Sequence, residues 1–503
     1  VLESMETSDF SQPVRQSAKG IIIIFGFNTF KFFKKFFVLF LALGLSLMKK
    51  KTFANLSPTI IILIIVSILI VLLVFAILKY LNFRFYVSRD DFHLSTGIFN
   101  KDNTIIPKSK IQNVYVKQNF LQQLINVVSL NIETAGDNKS EIEISALDKS
   151  TALLLKKELF NKNQVSTDSD STLIDEQNTV FFKVSPKRLL LEGVSQNHLK
   201  SFAIIASFVF GLYYEFKDYV KDLKIRERIE GVIQLDEATL FGIFLTNLFI
   251  VVLAILFSLV FSVIKTFITN FNLQVVENQK TIEINKGLFN KVSLSLTPSR
   301  IQNIVIKTNR LKQYFGLHTM SVKQAMVNAK QKKNFVIIAL EKTQVNHLID
   351  KLLDNYTSHL EAYKPAYYYK RILAFDMLIT AVIANGIAHV IFGSNVWWIN
   401  LILAPLAILY VYYGFKKAYY KINDEFVTIG GGVIDTTVNI LEIHKIQAVK
   451  LKQTIFQKRR QITSVIISTA SKSVKIPYIK ESEAKSIYDF LLYKVESQDK
   501  DWM

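Results

Sequence analysis

Gly97-Ile98-Phe99-Asn100 returns as Gly287-Leu288-Phe289-Asn290 and again as Gly432-Val433-Ile434-Asp435. Fourteen residues after each glycine stands an Ile-Gln pair: Ile111-Gln112, Ile301-Gln302 and Ile446-Gln447. Five residues after each of those isoleucines comes an apolar residue followed by lysine: Val116-Lys117, Ile306-Lys307 and Leu451-Lys452. A proline precedes the first two Ile-Gln pairs, in Ile106-Pro107 and Thr297-Pro298. The third repeat has Glu442-Ile443 there, which leaves the form of its turn open. Three equal spacings filled by similar residue types mark a triplicated unit.

The unit reads mainly as strands. Val114/Val116, Ile304/Ile306 and Val449/Leu451 alternate with polar neighbours, the period of two that a half-buried strand shows. Each recurring glycine follows a strand and suits a turn with positive φ. Further strands are predicted over 128–134 and 141–145, then 319–323 and 334–340, then 463–469 and 473–478. Each copy closes on a helical pattern, marked by Leu153, Leu154, Leu155 and Leu159, by Val345, Leu348, Leu352 and Leu353, and by Ile487, Phe490 and Leu491. The prediction is a small antiparallel β domain with a C-terminal helix, present three times. The recurring glycines and Ile-Gln pairs serve its architecture.

Long apolar runs precede the copies. Residues 59–78 are twenty without a charge, enough to cross about 30 Å of hydrocarbon as a helix. Residues 240–264 form a second run, 372–392 a third that is broken only by Asp376, and 396–415 a fourth with aromatics at both ends. Two shorter runs, 36–48 and 201–214, each stand ahead of a strong one, as in a helical hairpin. The polar segment 161–178 reads as a linker. Two crossings per hairpin put every β unit and both termini on one side of a membrane. The flanking Lys/Arg bias makes that side cytoplasmic, with Lys49–Lys51 and the basic loop 215–239 against it. The resulting organisation is 1–82 N-terminal segment and first hairpin, 83–160 first β domain, 161–185 linker, 186–268 second hairpin, 269–356 second β domain, 357–417 third hairpin and 418–497 third β domain. The N-terminus lacks a cleavage site of signal-peptide type, and Met5 is the expected initiator.

These features resemble the bacterial pleckstrin-homology (PH) domain membrane protein family, YdbT-like. The resemblance rests on the hairpin-plus-β order and on Gly97, Ile106-Pro107 and Ile111-Gln112, on Gly287, Pro298 and Ile301-Gln302, and on Gly432 and Ile446-Gln447. It covers about residues 15–495. It implies a membrane α plus β fold: three transmembrane helical hairpins, each followed by a PH-like antiparallel β-barrel domain with a C-terminal helix. It also implies an integral, multi-pass protein of the bacterial cytoplasmic membrane.

Composition narrows the chemistry. Half of the 503 residues are hydrophobic, too many for a disordered chain. Cysteine is absent, which excludes disulfides, thiolate metal sites and Cys nucleophiles. The seven histidines form no metal-type spacing, and Gly430-Gly431-Gly432 lacks the Lys-Ser/Thr of a phosphate loop. No enzyme, metal or cofactor is expected. The net charge of +20 is spread unevenly. Residues 84–160 hold ten basic and nine acidic side chains, 271–353 thirteen and four, and 418–495 twelve and seven. Lys323, Lys330, Lys332 and Lys333, and separately Lys458, Arg459 and Arg460, are candidate contacts for anionic lipid headgroups or a partner. Their lack of interleaved aromatics disfavours nucleic acid. Asp376 is the one carboxylate in an apolar run, and with Asn385 and His389 it forms a candidate intramembrane polar site. Three readings stand: a non-enzymatic scaffold presenting three PH-like domains for assembly with protein partners or as a homo-oligomer; anionic-lipid sensing or envelope maintenance; and transport through Asp376.

Overall fold

In a computed structural model of the protein, the described residues are 10–37, 58–134, 141–160, 179–196, 211, 240–278, 281–324, 335–353, 356, 361–392 and 399–498. Helices α1 (Gly20–Lys35) and α2 (Pro58–Leu81) lead into β1 (Arg84–Val87), β2 (Asp91–Thr96), β3 (Asp102–Pro107) and β4 (Ile111–Gln118). Then follow α3 (Phe120–Leu124), β5 (Val128–Thr134), β6 (Glu141–Leu147) and α4 (Lys149–Phe160). The second repeat is introduced by β7 (Thr179–Lys183), α5 (Pro186–Val194) and α6 (Leu240–Asn270). It comprises β8 (Gln274–Glu277), β9 (Ile282–Lys286), β10 (Lys291–Leu296), β11 (Ile301–Asn309), α7 (Arg310–Tyr314), β12 (His318–Gln324), β13 (Val336–Leu340) and α8 (Lys342–Leu352). Helices α9 (Tyr369–Phe392) and α10 (Ile399–Lys417) precede β14 (Tyr419–Ile422), β15 (Phe426–Gly431), β16 (Asp435–Glu442) and β17 (Ile446–Lys452). The third repeat closes with α11 (Ile455–Lys458), β18 (Ile462–Thr469), β19 (Ser473–Lys480) and α12 (Glu481–Ser497).

The triplication is therefore real at the level of elements, and the strands and closing helices read from the sequence lie where expected to within a few residues. The repeated turn has one geometry. Gly97, Gly287 and Gly432 adopt φ of 107°, 111° and 111°. A Cβ on them would sit 1.8, 2.0 and 2.0 Å from the carbonyl oxygens of Asn100, Asn290 and Asp435. No side chain fits there. The turn before the Ile-Gln pair is a single 3-10 turn in all copies, Lys108–Lys110, Pro298–Arg300 and Ile443–Lys445. The third copy makes it without the proline. The paired isoleucines Ile111, Ile301 and Ile446 are buried, in keeping with an architectural role.

Three of the apolar runs form α2, most of α6 and most of α9, and the fourth enters α10 at Ile399. By length and hydropathy together, one described stretch, Ile62–Leu81, is apolar enough to cross a membrane. Helix α1 packs on α2, α5 on α6 and α9 on α10. The shorter runs reach beyond the described residues: 38–48 and all of 201–214 except Gly211 lie outside them, as do the polar segment 161–178 and residues 212–239.

The chain forms two compact units, Val1–Thr179 with Val276–Ser295, and Val180–Val275 with Leu296–Met503. The division passes through the second repeat, because strand pairing crosses repeat boundaries. In the first unit β1-β2-β3 form one antiparallel sheet, and β6-β5-β4-β10-β9 are neighbours in another. Phe85, Phe92, Val114, Leu130, Ile132, Ile144 and Leu155 fill the space between the first repeat's two layers, with α4 over one end. In the second unit six strands run in the order β13-β12-β11-β16-β15-β14, and β17-β18-β19 form a separate sheet. Val427, Leu441, Val465, Ile467, Ile476 and Leu491 make the third repeat's core. Burying such side chains contributes roughly 1.5–3 kcal/mol each.

Candidate interaction site

The third strand of one repeat pairs with the fourth strand of the repeat before it, and this happens twice in one register. In the first unit Lys291 stands opposite Gln118, Val292 opposite Lys117 and Ser293 opposite Val116. In the second unit Thr436 stands opposite Thr308, Thr437 opposite Lys307 and Val438 opposite Ile306. Lys291 and Thr436 each lie four residues past the repeated glycine, and Gln118 and Thr308 each seven past the repeated isoleucine. Backbone hydrogen bonds across such a ladder contribute about 0.5–1.5 kcal/mol each. Buried cross-strand pairs such as Ile304 with Ile440 add to them.

Side chains staple both joints. At the first, Lys156 Nζ of α4 reaches Glu283 Oε1 at 3.3 Å and Ser295 Oγ at 3.0 Å. Gln123 Nε2 donates to the carbonyl oxygens of Leu288 and Phe289 at 3.0 and 2.9 Å. The Phe120 and Phe289 rings meet edge to face at 5.9 Å. At the second, Asn303 Nδ2 donates to Asn439 Oδ1 at 3.4 Å and Lys445 Nζ to the Pro298 carbonyl at 3.3 Å.

The same turns and short helices carry exposed apolar side chains in all three repeats, at the two joints and at the unjoined β3 and β17 ends alike. The turn glycines are followed by Phe99, Phe289 and Ile434, and the short helix after each fourth strand presents Phe120 and Leu124, Leu311 and Tyr314, or Ile455 and Phe456, all exposed. These ends adjoin the apolar helices. Phe99 lies 6.5 Å from Phe75 of α2. The Arg310 guanidinium stacks 4.4 Å over Tyr413 of α10, and Lys417 Nζ donates to the Val433 carbonyl at 2.8 Å. Apolar side chains flanked by Lys and Arg are the composition of a membrane interface.

Within the second unit, Glu192 of α5 is fully buried against Lys312 of α7. Lys312 Nζ also donates to Thr319 Oγ1 at 2.7 Å, and Thr319 Oγ1 and Gln196 Nε2 donate to Glu192 Oε1 at 3.1 and 2.7 Å. Beside this cluster opens a polar cavity of about 380 Å³ lined by Lys265, Thr266, Lys307, Lys312 and Thr319 among others. It meets an apolar cleft of about 700 Å³, walled by Met377, Leu403, Leu406 and Tyr410, at Gln196, Asn309 and Asp435. Nothing in the sequence reading singled out Glu192. Its signal is a lone acid following the apolar triplet Leu189–Leu191.

The residues proposed from the sequence are placed as follows. Lys323 lies in β12 opposite Asn303. Lys330, Lys332 and Lys333 fall outside the described residues. Lys458, Arg459 and Arg460 are exposed at the end of α11, beside Ile455 and Phe456, and Arg460 stacks 4.8 Å over Tyr368. Asp376, Asn385 and His389 share α9 without meeting. Asp376 acts on Tyr478 of β19, whose phenol is pushed up by burial first and by that carboxylate second. Asn385 and Asn400 exchange amide hydrogen bonds of 2.8 and 3.0 Å between α9 and α10. His389 is exposed. Among the described residues, no three His, Asp or Glu side chains converge as a metal site needs.

The chain matches the family model described as "Bacterial PH domain" over residues 36–163, 228–356 and 374–495. It is similar to the UPF0699 transmembrane protein YdbT of Bacillus subtilis (strain 168), with 24% identity over 414 residues that cover 79% of this chain and 82% of that protein. Three family matches, coincident with three structural repeats that each carry the same glycine turn and Ile-Gln strand, place this chain in the bacterial PH-domain family.

Proposed function

We propose that the protein is a non-enzymatic integral membrane platform. Three helical hairpins hold three PH-like units at the cytoplasmic face, where the units assemble proteins with one another. The observation that carries this reading is the strand-edge joint. The fold already binds a second PH-like unit by strand addition, twice, in one register. Strand addition takes affinity from main-chain hydrogen bonds and specificity from alternate side chains, so it serves a partner protein as readily as a neighbouring repeat. Several units on one chain multiply weak contacts. The exposed apolar residues beside Lys and Arg at the joint ends support apposition to lipid.

Purification of the full chain in a mild detergent, with identification of whatever protein and lipid accompanies it, tests the platform. A defined protein partner or a homo-oligomer is the expected result. A monodisperse monomer without protein partner contradicts it.

A second reading, lipid sensing, is favoured by the junction of the lysine-lined cavity with the apolar cleft. An amphiphile with an anionic head would place its head near Lys265 and Lys307 and its chain along α9 and α10. One specific anionic lipid that co-purifies without protein, and is lost on Lys265→Gln, would establish this reading in place of the first.

A further inference from the structure

We infer that copies of this chain join edge to edge, β17 of one against β3 of the next, in the register that already joins the repeats inside the chain. This deepens the platform reading by naming its partner as a second copy. Two internal joints consume the fourth strand of repeats one and two and the third strand of repeats two and three. One fourth strand and one third strand are left over. They are β17 and β3, and each is the outermost strand of its three-stranded sheet among the described residues.

Carrying the internal register across puts Lys452 opposite Asp102, Leu451 opposite Asn103, Lys450 opposite Thr104 and Val449 opposite Ile105. Three observations fit a missing strand. Ile105 is 59% exposed, whereas Ile440, at the same position of a joined strand, is 2% exposed. Leu451 is 37% exposed on the opposing edge. The lysine at the recurring position meets Val292 and Thr437 in the internal joints, through Lys117 and Lys307, and would meet a carboxylate, Asp102, in the third. Opposite charges directly across an antiparallel pair are favourable. The two edges differ, so the contact is head to tail. Such contacts close into rings or extend as filaments. Lys450 and Lys452 would equally guard an edge that stays bare, and the two roles separate by experiment.

The chain has no cysteine, so disulfides report contacts without background. The full chain carrying L451C and N103C, oxidised in native membranes, is expected to give a ladder of dimers and higher species. Either single variant gives none, and L451C with T104C, whose side chains would point to opposite faces, gives far less. K452E should lower the ladder about threefold or more, and adding D102K should restore it, a rescue that misfolding cannot mimic. Monomer in every variant overturns the inference. A cross-link from L451C to a different protein overturns copy pairing and leaves the platform reading standing. Monomer together with no protein partner in mild detergent removes both.

Discussion

Replacing Lys312 by Met removes the cation paired with a buried carboxylate. Glu192 is 0% exposed, and its Oε2 has no hydrogen-bond partner among the described residues. Breaking a buried pair by deleting one member typically costs about 3–5 kcal/mol, because a buried charge is left uncompensated. Here Oε1 keeps the donors Gln196 and Thr319, at 2.7 and 3.1 Å, which places the cost near the lower bound, about 3 kcal/mol. Hydrogen exchange read by mass spectrometry over α5 and β12 measures it locally. At about 1.4 kcal/mol per decade, amides there should exchange about a hundredfold faster in Lys312→Met. The double variant Glu192→Leu/Lys312→Met exchanges two buried charges for apolar volume and should return to within about tenfold of the parent. Exchange in Lys312→Met within fivefold of the parent refutes the reasoning, and so does a double variant as fast as the single one.

Val438→Pro takes a ladder position from β16, which is paired on both sides, to Ile306 and to Gly430. Limited proteolysis should then cut within residues 426–442, where the parent is resistant. Gly432→Ala forces a Cβ against the Asp435 carbonyl at positive φ and should cost about 1–3 kcal/mol in thermal or denaturant unfolding. Burial pushes the Lys286 ammonium down to about 8 from its ordinary 10.5. The unfolded chain therefore binds more protons between those values, and stability rises as pH climbs through that window, by about 3 kcal/mol in all. Lys286→Met should unfold at a higher temperature than the parent at pH 7, with the difference shrinking as pH passes from 8 to 10.5.

Much of a repeat is legible in the chain because its determinants are local. Glycine at 97, 287 and 432 answers a backbone constraint three residues wide. Alternation in 114–116, 304–306 and 449–451 answers burial on one face, and the closing helices declare themselves by leucine spacing. The joints are not legible in the same way. Alternation says which face of a strand is buried but not which strand lies beside it, and the partner of Val116 is Ser293, the partner of Ile306 is Val438. The sequence reading therefore treats three separate β domains where the structure runs sheets from one repeat into the next. The cavity beside Lys265 and Lys312 is invisible for the same reason, since its walls come from α6, β11, α7 and β12. Polar residues inside an apolar helix were visible, but their meaning depended on neighbours. Asn385 has Asn400 across the helix pair, and the charge of Asp376 acts on Tyr478 in the third β unit.

One register joins repeat to repeat. Placing cysteines at Val116 and Ser293, and separately at Ile306 and Val438, in the cysteine-free chain tests it directly, with free thiols counted by alkylation and mass spectrometry after mild oxidation. Both pairs should close within the chain, and pairs displaced by one residue, such as Val116 with Leu294, should stay reduced. Closure of displaced pairs as readily as matched ones, or closure of neither, would contradict the shared joint and with it the basis for assembly through strand edges.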